Sequence, residues 1–332
     1  MLSLKIFKVF ITILLAILVS FTGWVHFSPR PTTWLVHNLF KNGMAVKPPN
    51  YNEIEETVST IKDLIYPSNH KDNLLDMHFP KDVKDKIPVI FWIHGGAYVG
   101  GDKKDVTEYA IQIASHGFAV VNINYELAPS ATYPGPIIQL TEAYQYITEI
   151  AADYPFDLDQ IFFAGDSAGA QIASQFVNIQ VDSQYAKLLK QIAVVPAHSI
   201  QGTLLFCGPY DFSNITEKSN NPVINYLFTR IAWSYIGEKK WQEHEQLPYA
   251  NMLEYVSPNF PATFITDGTE MTFTEDGMTM ADKLESLNIP VVRQFFEDGS
   301  ELPHEYQFMM NRPEAIETFE KVIAFLQTRS HK

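Results

Sequence analysis

Cysteine and metal-ligand patterns are scarce in this chain. Its 332 residues include one cysteine, Cys207, so no disulfide can form within the chain. Cys207 lies in an apolar run, which is typical of a small core side chain. We find no Cys/His spacing of the kind that binds zinc and no glycine-rich phosphate loop. The sequence therefore predicts no metal and no nucleotide cofactor.

Positive charge is also in short supply. The chain has 24 Lys and Arg against 38 Asp and Glu, a formal net charge of −14. Nucleic acids and anionic lipid surfaces bind through clustered positive charge, so this balance argues against both as electrostatic partners. Internal repeats and low-complexity stretches are absent as well. The composition fits one globular domain, whose functional information must lie in its motifs.

The most informative motif lies at residues 165–169, which read Gly-Asp-Ser-Ala-Gly and match G-x-S-x-G. An apolar run precedes it and an Ala- and Gln-rich segment follows, which predicts strand, sharp turn and helix in that order. Such a turn strains the serine backbone and requires small neighbours. Ser167 is therefore a candidate nucleophile. We expect Asp166 to have a structural role, because its side chain points away from that of Ser167 in such a turn.

A second motif follows the apolar run at residues 88–93, where His94 is followed by two glycines. Acyl transfer places negative charge on a carbonyl oxygen, and backbone N–H groups must already point at that atom. Glycine lets the backbone approach closely. We predict that Gly95 and Gly96 supply two donors and that Ala168, the residue after the nucleophile, supplies a third. His94 is expected to order this loop.

Among the ten histidines, His304 stands out by its position. It lies after an apolar strand at residues 291–296 and before the last predicted helix. In one large class of serine hydrolases the catalytic histidine comes last, in the chain order Ser, acid, His. His304 is therefore the candidate general base.

Several carboxylates compete for the role of the triad acid. It should follow the predicted strand at residues 262–266, and Asp267 at the carboxyl end of that strand is the first choice. Glu270 is the second candidate. Glu275 is the third, although it also suits the first turn of the next helix, where a carboxylate favours the helix dipole. Asp211, one strand earlier, is a further possibility.

Together these motifs resemble the hormone-sensitive-lipase-like branch of the α/β-hydrolase superfamily, which includes many microbial carboxylesterases. The resemblance covers roughly residues 75–328 in the right order, and it implies the fold and a serine esterase reaction. The matching parts are residues 94–98, residues 124–129 with Tyr133 and Pro134, residues 157–169, and His304.

Two positions depart from the pattern of that family. Glu126 stands where the family carries an arginine, which matters little for the chemistry. The family also places an aspartate three residues after a glycine in the acid loop. Counted from Gly268, that position is Met271, which cannot serve as the acid. The resemblance therefore leaves the choice of acid open.

The spacing of apolar runs predicts the same fold independently. Buried parallel strands give continuous apolar runs, and their alternation with helices predicts a mostly parallel central sheet with helices on both faces, as in the α/β-hydrolase fold. The predicted strands lie at residues 89–93, 119–123, 161–164, 203–207, 263–266 and 291–296, and predicted helices lie at 106–116, 137–154 and 277–287.

The N-terminus carries an apolar stretch at residues 9–25 behind Lys5 and Lys8. We interpret residues 1–30 as an uncleaved transmembrane helix, because the apolar centre is long and Ser20-Phe21-Thr22 is a poor cleavage site. The two lysines favour a cytoplasmic start and an extracytoplasmic catalytic domain. The alternative is secretion after signal cleavage.

Residues 31–332 form the predicted catalytic domain. Two of its segments, 31–60 and 212–256, fall outside the strand–helix alternation. The second is rich in aromatic residues, which suits a cap or lid that shapes an acyl pocket. Helical core packing is the alternative interpretation.

These inferences converge on a lipase-like serine carboxylesterase. Ser167, His304 and an acid would cleave a small-molecule or lipid-like ester through an acyl-enzyme intermediate. An amidase or peptidase with the same triad is one alternative. A catalytically degenerate binding protein on the same fold is another.

Overall fold

The computed structural model describes residues 2–39, 43, 45–217, 221–296 and 299–330. At its centre lies an eight-stranded sheet. Its strands are β1 (Val58–Ile65), β2 (Leu74–Pro80), β3 (Ile87–Ile93), β4 (Ala119–Ile123), β5 (Phe156–Asp166), β6 (Ile200–Phe206), β7 (Thr263–Thr266) and β8 (Val291–Gln294). Their order is β1-β2-β4-β3-β5-β6-β7-β8. β2 is antiparallel to β1 and β4, and every other pair is parallel.

The central strands follow directly from the apolar runs. Every residue of β4 and β7 is buried, as are most residues of β3 and β6. Parallel strands covered on both faces have no solvent side, so their sequence cannot alternate. The predicted mostly parallel sheet is confirmed.

The structure differs from the sequence prediction at both edges of the sheet. β1 and β2 were not among the predicted strands, because β1 has one buried residue, Val58, and contains Lys62 and Asp63, whereas β2 is mostly buried but is interrupted by Asp76 and His78. An antiparallel edge strand faces water on one side, so it gives no continuous apolar run. At the other edge, β8 ends at Gln294, two residues before the predicted strand end.

Helices cover both faces of the sheet. One apolar cluster includes side chains of α5, α6 and α10, and a second cluster on the other face includes those of α4 and α11. The helices are α1 (Leu2–Phe27), α2 (Arg30–Leu39), α3 (Tyr51–Glu56), α4 (Thr107–Ser115), α5 (Gly135–Ile150), α6 (Ala168–Val181), α7 (Ser183–Leu188), α8 (Pro222–Ile236), α9 (Met252–Tyr255), α10 (Thr274–Ser286) and α11 (Pro313–Arg329). The predicted helices correspond to α4, α5 and α10, with boundaries shifted by a few residues.

The strand register brings several motif-bearing loops to one edge of the sheet. Ile93 pairs with Gly165, and Phe206 pairs with both Asp166 and Thr266. These residues end or nearly end β3, β5, β6 and β7. Parallel strands end at the same edge, where open α/β sheets bind ligands. The loops after these four strands therefore meet at one place.

The N-terminal helix α1 stands outside the two apolar clusters. Its segment Lys5–Phe27 has a mean hydropathy of 2.3 and is long enough to cross a membrane. The end of α1 contacts α8, where the Arg230 guanidinium donates to the Ser28 carbonyl at 2.9 Å. A helix of this kind is typical of a membrane anchor or of a signal sequence.

The two predicted cap segments contain α2 and α3 in the first and α8 and α9 in the second. Residues 40–42, 44 and 218–220 of these segments lie outside the described residues. Trp233, Tyr235 and Trp241 are buried, and the ring of Tyr235 stacks on that of Tyr98 at 4.0 Å between centroids. These aromatic rings are core packing, whereas a lid function for the segment stays a prediction.

Candidate active site

Ser167 occupies a sharp turn between β5 and α6. Its backbone has φ 51° and ψ −120°, a conformation that residues other than glycine seldom adopt. Gly169 allows this turn to pack against β3, because a Cβ there would lie 2.0 Å from the Ile93 carbonyl oxygen. The Ser167 N–H donates to the Phe206 carbonyl at 2.7 Å, which ties the turn to β6. The motif glycines are thus required by close backbone approach.

His304 lies beside this serine. The distance from its Nε2 to the Ser167 Oγ is 2.9 Å, although the two residues are 137 positions apart in the chain. A hydroxyl at this distance from an imidazole nitrogen can pass its proton to it. The ring of Phe273 contacts His304 edge-on, at 5.8 Å between ring centroids, and helps to bury it. The structure therefore brings the two predicted residues together in reacting geometry.

A residue that the sequence did not point to lies on the other side of His304. The Thr272 Oγ1 is 2.8 Å from His304 Nδ1 and donates a short hydrogen bond to Asp267 Oδ1. Asp267 also accepts the backbone N–H groups of Gly268, at 2.7 Å, and Phe273, at 3.1 Å. The predicted acid thus reaches the histidine through a threonine hydroxyl.

The other candidate acids lie elsewhere in the structure. Glu270 and Glu275 are exposed. Glu275 lies in the first turn of α10, which is the alternative position predicted for it from the sequence. The Asp211 carboxylate accepts hydrogen bonds from Ser213 at 2.6 Å and Asn214 at 2.8 Å. Of the four carboxylates, Asp267 is the one that the structure joins to His304.

Burial shifts the protonation of both groups in this chain of hydrogen bonds. Loss of solvent raises the pKa of Asp267 to about 7, although the Thr272 hydroxyl and backbone N–H groups favour its charged form. Loss of solvent also lowers the pKa of His304 to about 4. His304 is therefore neutral at physiological pH and free to accept a proton.

Cys207 approaches the same group. Its Sγ, a carboxylate oxygen of Asp267 and a ring nitrogen of His304 lie within 4.8 Å of one another, the one such cluster of potential metal ligands among the described residues. Burial raises the pKa of the Cys207 thiol well above its usual range, so the thiolate that a metal requires is disfavoured. The thiol contacts Gln307 Oε1 at 3.5 Å instead. This chemistry does not favour a metal site.

The structure corrects one prediction about the loop after β3 that contains Gly95 and Gly96, here called the glycine loop. The prediction that Gly95 supplies an oxyanion donor is wrong, because its N–H donates to Asp166 Oδ2 at 2.7 Å. Within the described chain, the N–H groups of Gly96, Ala97 and Ala168 have no hydrogen-bond acceptor. A Cβ on Gly96 would lie 2.1 Å from the Gly100 carbonyl oxygen, so only glycine fits there.

Asp166 connects three parts of the site. It accepts the indole N–H of Trp92 at 2.8 Å as well as the Gly95 N–H, and it shares a hydrogen bond with Glu305. Burial and the nearby Asp166 carboxylate raise the pKa of Glu305 well above its usual range, so Glu305 carries the proton of this pair. The structural role expected for Asp166 matches this geometry, and Glu305 is a partner that sequence spacing could not reveal.

Comparisons with known proteins identify related esterases. The BD-FAE family model matches residues 75–276, a span that includes Ser167 and Asp267. Carboxylesterase NlhH of Mycobacterium tuberculosis is 26% identical over 266 residues, covering 77% of this chain and 78% of that protein. Versiconal hemiacetal acetate esterase of Dothistroma septosporum is 25% identical, covering 71% of each chain.

Solved structures show the same fold. Esterase B from Lactobacillus rhamnosis superposes with a TM-score of 0.72 at 20% identity, covering 82% of this chain and 86% of that chain. A bacterial heroin esterase superposes with a TM-score of 0.67 at 19% identity, covering 91% of this chain and 98% of its own. At this level of identity the likeness concerns the fold, which is that of the α/β-hydrolases.

Proposed function

Because the chain belongs to the BD-FAE family and has the α/β-hydrolase fold, we propose that it is a serine carboxylesterase that works through an acyl-enzyme intermediate. The observation that carries the proposal is the 2.9 Å contact between His304 Nε2 and Ser167 Oγ at the strained turn after β5. The esterase names of its relatives agree with this reaction class.

In the first half-reaction, the Ser167 oxygen attacks the ester carbonyl carbon while His304 Nε2 takes the hydroxyl proton. The carbonyl π-bond opens to an oxyanion. When that intermediate collapses, the bond to the alkoxide breaks and His304 returns the proton to the leaving alcohol. Ser167 is then an acyl ester, and water repeats the sequence to release the carboxylic acid and restore the hydroxyl.

Asp267 and Thr272 stabilise the positive charge that develops on His304 during the reaction. The His304 Nδ1–H can donate to Thr272 Oγ1, whose own proton already lies in the hydrogen bond to Asp267. This arrangement fixes the tautomer that leaves Nε2 free to act as a base. A negative charge on Asp267 stabilises the imidazolium through the threonine dipole.

For the oxyanion we propose the N–H groups of Gly96, Ala97 and Ala168. All three lack acceptors within the described chain, and Ala168 stands at the N-terminus of α6, where the helix dipole adds positive potential. Gly95 is a positioning residue, because its hydrogen bond to Asp166 holds the loop in place.

We also propose that α1 anchors the protein in a membrane, with a cytoplasmic N-terminus and an extracytoplasmic catalytic domain. Its length and hydropathy support a span, and Lys5 and Lys8 at its start support the orientation. N-terminal sequencing of the protein from its host would separate an anchor, which keeps residue 1 or 2, from a signal peptide, which does not.

Hydrolysis of p-nitrophenyl esters from acetate to decanoate by the full chain in detergent tests the reaction. We expect Ser167→Ala and His304→Ala each to lower kcat by about 10⁴-fold or more, with a burst of one p-nitrophenol per wild-type chain where deacylation is slow. His198→Ala, at an exposed histidine in the turn before β6, is the control and should react normally. Full activity in either triad variant would overturn the mechanism.

A further inference from the structure

The helix α2 buries Val36 with two threonines but leaves its largest apolar side chains exposed. Thr32 and Thr33 are buried against the domain, whereas Trp34 is 68% exposed, Leu39 is 70% exposed and Leu35 is also exposed. A helix at the surface of a soluble protein turns its apolar side chains inward. Large exposed apolar patches of this kind indicate a contact with another apolar phase.

The first half of α8 also exposes apolar side chains. Val223 is 64% exposed and Tyr226 is exposed one turn later, and α8 lies against α2. The Arg230 guanidinium lies 5.6 Å from the Tyr226 ring centroid and donates to the Ser28 carbonyl at the end of α1. Through Arg230, Tyr226 of α8 therefore lies close to the end of the candidate membrane span.

The end of α1 is held against the domain at this point. Lys239 Nζ is 3.3 Å from His26 Nε2 and 5.6 Å from the Phe27 ring centroid. Phe27 and Trp24 are exposed on α1 itself. Aromatic and basic side chains concentrate where a span meets the lipid–water interface. The exposed apolar side chains of α2 and α8 thus belong to helices that adjoin a segment whose own surroundings would be lipid.

We infer that Trp34, Leu35 and Leu39 of α2, with Val223 and Tyr226 of α8, form a membrane-contact surface that lies in the lipid interface beside α1. The inference rests on the proposed anchor and esterase activity and adds a partner and a substrate source to them. With a net charge of −14, the contact is apolar rather than electrostatic, so a zwitterionic lipid surface suffices.

The same two helices touch the loops that hold the reacting groups. On α2, His37 Nδ1 is 3.1 Å from the Val99 carbonyl oxygen in the glycine loop. On α8, the ring of Phe228 lies 6.0 Å from that of Phe273, which contacts His304. With α2 and α8 in the lipid interface, the loops that they contact hold the reacting groups close to the membrane surface. The substrates that this placement favours are esters dissolved in the lipid interface.

Quenching of tryptophan fluorescence by brominated phosphatidylcholine tests where α2 lies. The full chain is reconstituted in vesicles that carry the bromines either near the interface or near the bilayer centre. Among the five tryptophans, we expect Trp34→Phe to lower quenching by interfacial bromines, as Trp24→Phe should at the end of the span, and neither to change quenching by bromines near the bilayer centre. Trp241→Phe, at a buried residue, is the control and should remove none.

Kinetics test the substrate source in the same vesicles. The readout is the ratio of turnover for a long-chain ester dissolved in the bilayer to turnover for p-nitrophenyl acetate in water. Trp34→Ser should lower this ratio about tenfold, because one large apolar side chain is withdrawn from the interface while α1 keeps the protein in place. Ile192→Ser removes an exposed apolar side chain in the loop between α7 and β6, at the amino end of that strand, and should leave the ratio unchanged.

Either measurement can overturn the inference. Quenching that Trp34→Phe leaves intact would place α2 in water, and equal ratios for Trp34→Ser and Ile192→Ser would exclude lipid as the source. The proposed reaction fails separately, if Ser167→Ala still hydrolyses p-nitrophenyl acetate. The quenching result does not depend on that outcome.

Discussion

At the scale of single residues, Thr272 is the unusual member of the site. Its hydroxyl lies between His304 Nδ1 and Asp267 Oδ1, where a direct carboxylate–imidazole contact is the common arrangement. The carboxylate itself is almost completely buried. A hydroxyl relay lets a buried acid orient the histidine without requiring the acid to reach it.

Removing that hydroxyl should slow the reaction without unfolding the loop. We expect Thr272→Val, which keeps the shape of the side chain, to lower kcat by about tenfold to a hundredfold, the equivalent of one hydrogen bond to a charged group. Thr272→Ser should restore most of the rate because it returns the hydroxyl.

Steady-state kinetics on p-nitrophenyl butyrate measure both variants. Thr279→Val is the matched control, since Thr279 lies on the exposed side of α10 and its hydroxyl bonds the Glu275 carbonyl at 2.7 Å. If Thr272→Val reacts as fast as Thr279→Val, the relay has no role in turnover.

The protonation of Asp267 should appear in the pH dependence. Burial raises the pKa of Asp267 to about 7, and the ionised form that stabilises His304 exists above that value. kcat/KM should therefore rise as the pH increases through 7. The neutral form of His304 persists down to its lowered pKa of about 4, so histidine protonation adds a fall only at lower pH.

Asp267→Asn provides the comparison for this profile. We expect it to lower kcat/KM by about 10⁴-fold and to remove the rise near neutral pH. Rates from pH 5 to 9 in buffers of constant ionic strength measure both curves. An unchanged rise in the Asn variant would assign the titration to another group, of which the Asp166–Glu305 pair is the nearest.

Single residues also show where prediction from sequence stops. Ser167 and His304 could be predicted because local patterns, a strained turn and the end of a strand, determine their positions. The error at Gly95 has a long-range cause, since its N–H donates to a carboxylate 71 positions away. Thr272 could not be identified because its role depends on how one loop folds back onto another.

At the scale of elements, the strand–turn–helix unit of β5 and α6 depends on close backbone contact with β3. A Cβ on Gly169 would lie 2.0 Å from the Ile93 carbonyl oxygen, which is backbone that cannot move without shifting the glycine loop. The position of Ser167 and that of the oxyanion donors are therefore coupled through one glycine.

We expect Gly169→Ala to abolish most esterase activity and to lower Tm by several degrees, because α6 must move away from β3. Gly23→Ala is the control: Gly23 also lies in a helix, but a Cβ there has nothing within 4 Å. Thermal unfolding followed by circular dichroism, with rates on a soluble ester, measures both effects. Wild-type activity and Tm in Gly169→Ala would contradict the contact.

The helices and strands differ in how readily they can be predicted from the sequence. Buried strands such as β4 and β7 give continuous apolar runs, and helices between them follow the helical repeat. β1 is an antiparallel edge strand with mostly exposed or half-buried residues, and β2 is interrupted by the buried polar residues Asp76 and His78, so neither gives a continuous apolar run. The aromatic side chains of residues 212–256 fitted core packing and a lid equally well, because composition does not specify what a ring contacts.

At the scale of the whole molecule, Arg230 and Lys239 contact the chain at the end of α1. We expect the full chain to stay in the membrane fraction after high-salt and alkaline carbonate washes, because an apolar span is held by lipid rather than by charge. Immunoblots of pellet and supernatant measure this. Release by salt alone would contradict a membrane-spanning α1.

The hydrogen bond between Asp166 and Glu305 affects how the two loops of the site separate. Asp166 immediately precedes the nucleophile and Glu305 immediately follows the base, so the proton that this pair shares adds a second link between the two loops that the Ser167–His304 contact joins. A thermal fluctuation that separates the two loops must break this hydrogen bond and expose the carboxylic acid of Glu305 to water. The nucleophile and the base should therefore be lost and regained in a single step, and a partly assembled site, with its serine exposed to stray electrophiles, should be short-lived.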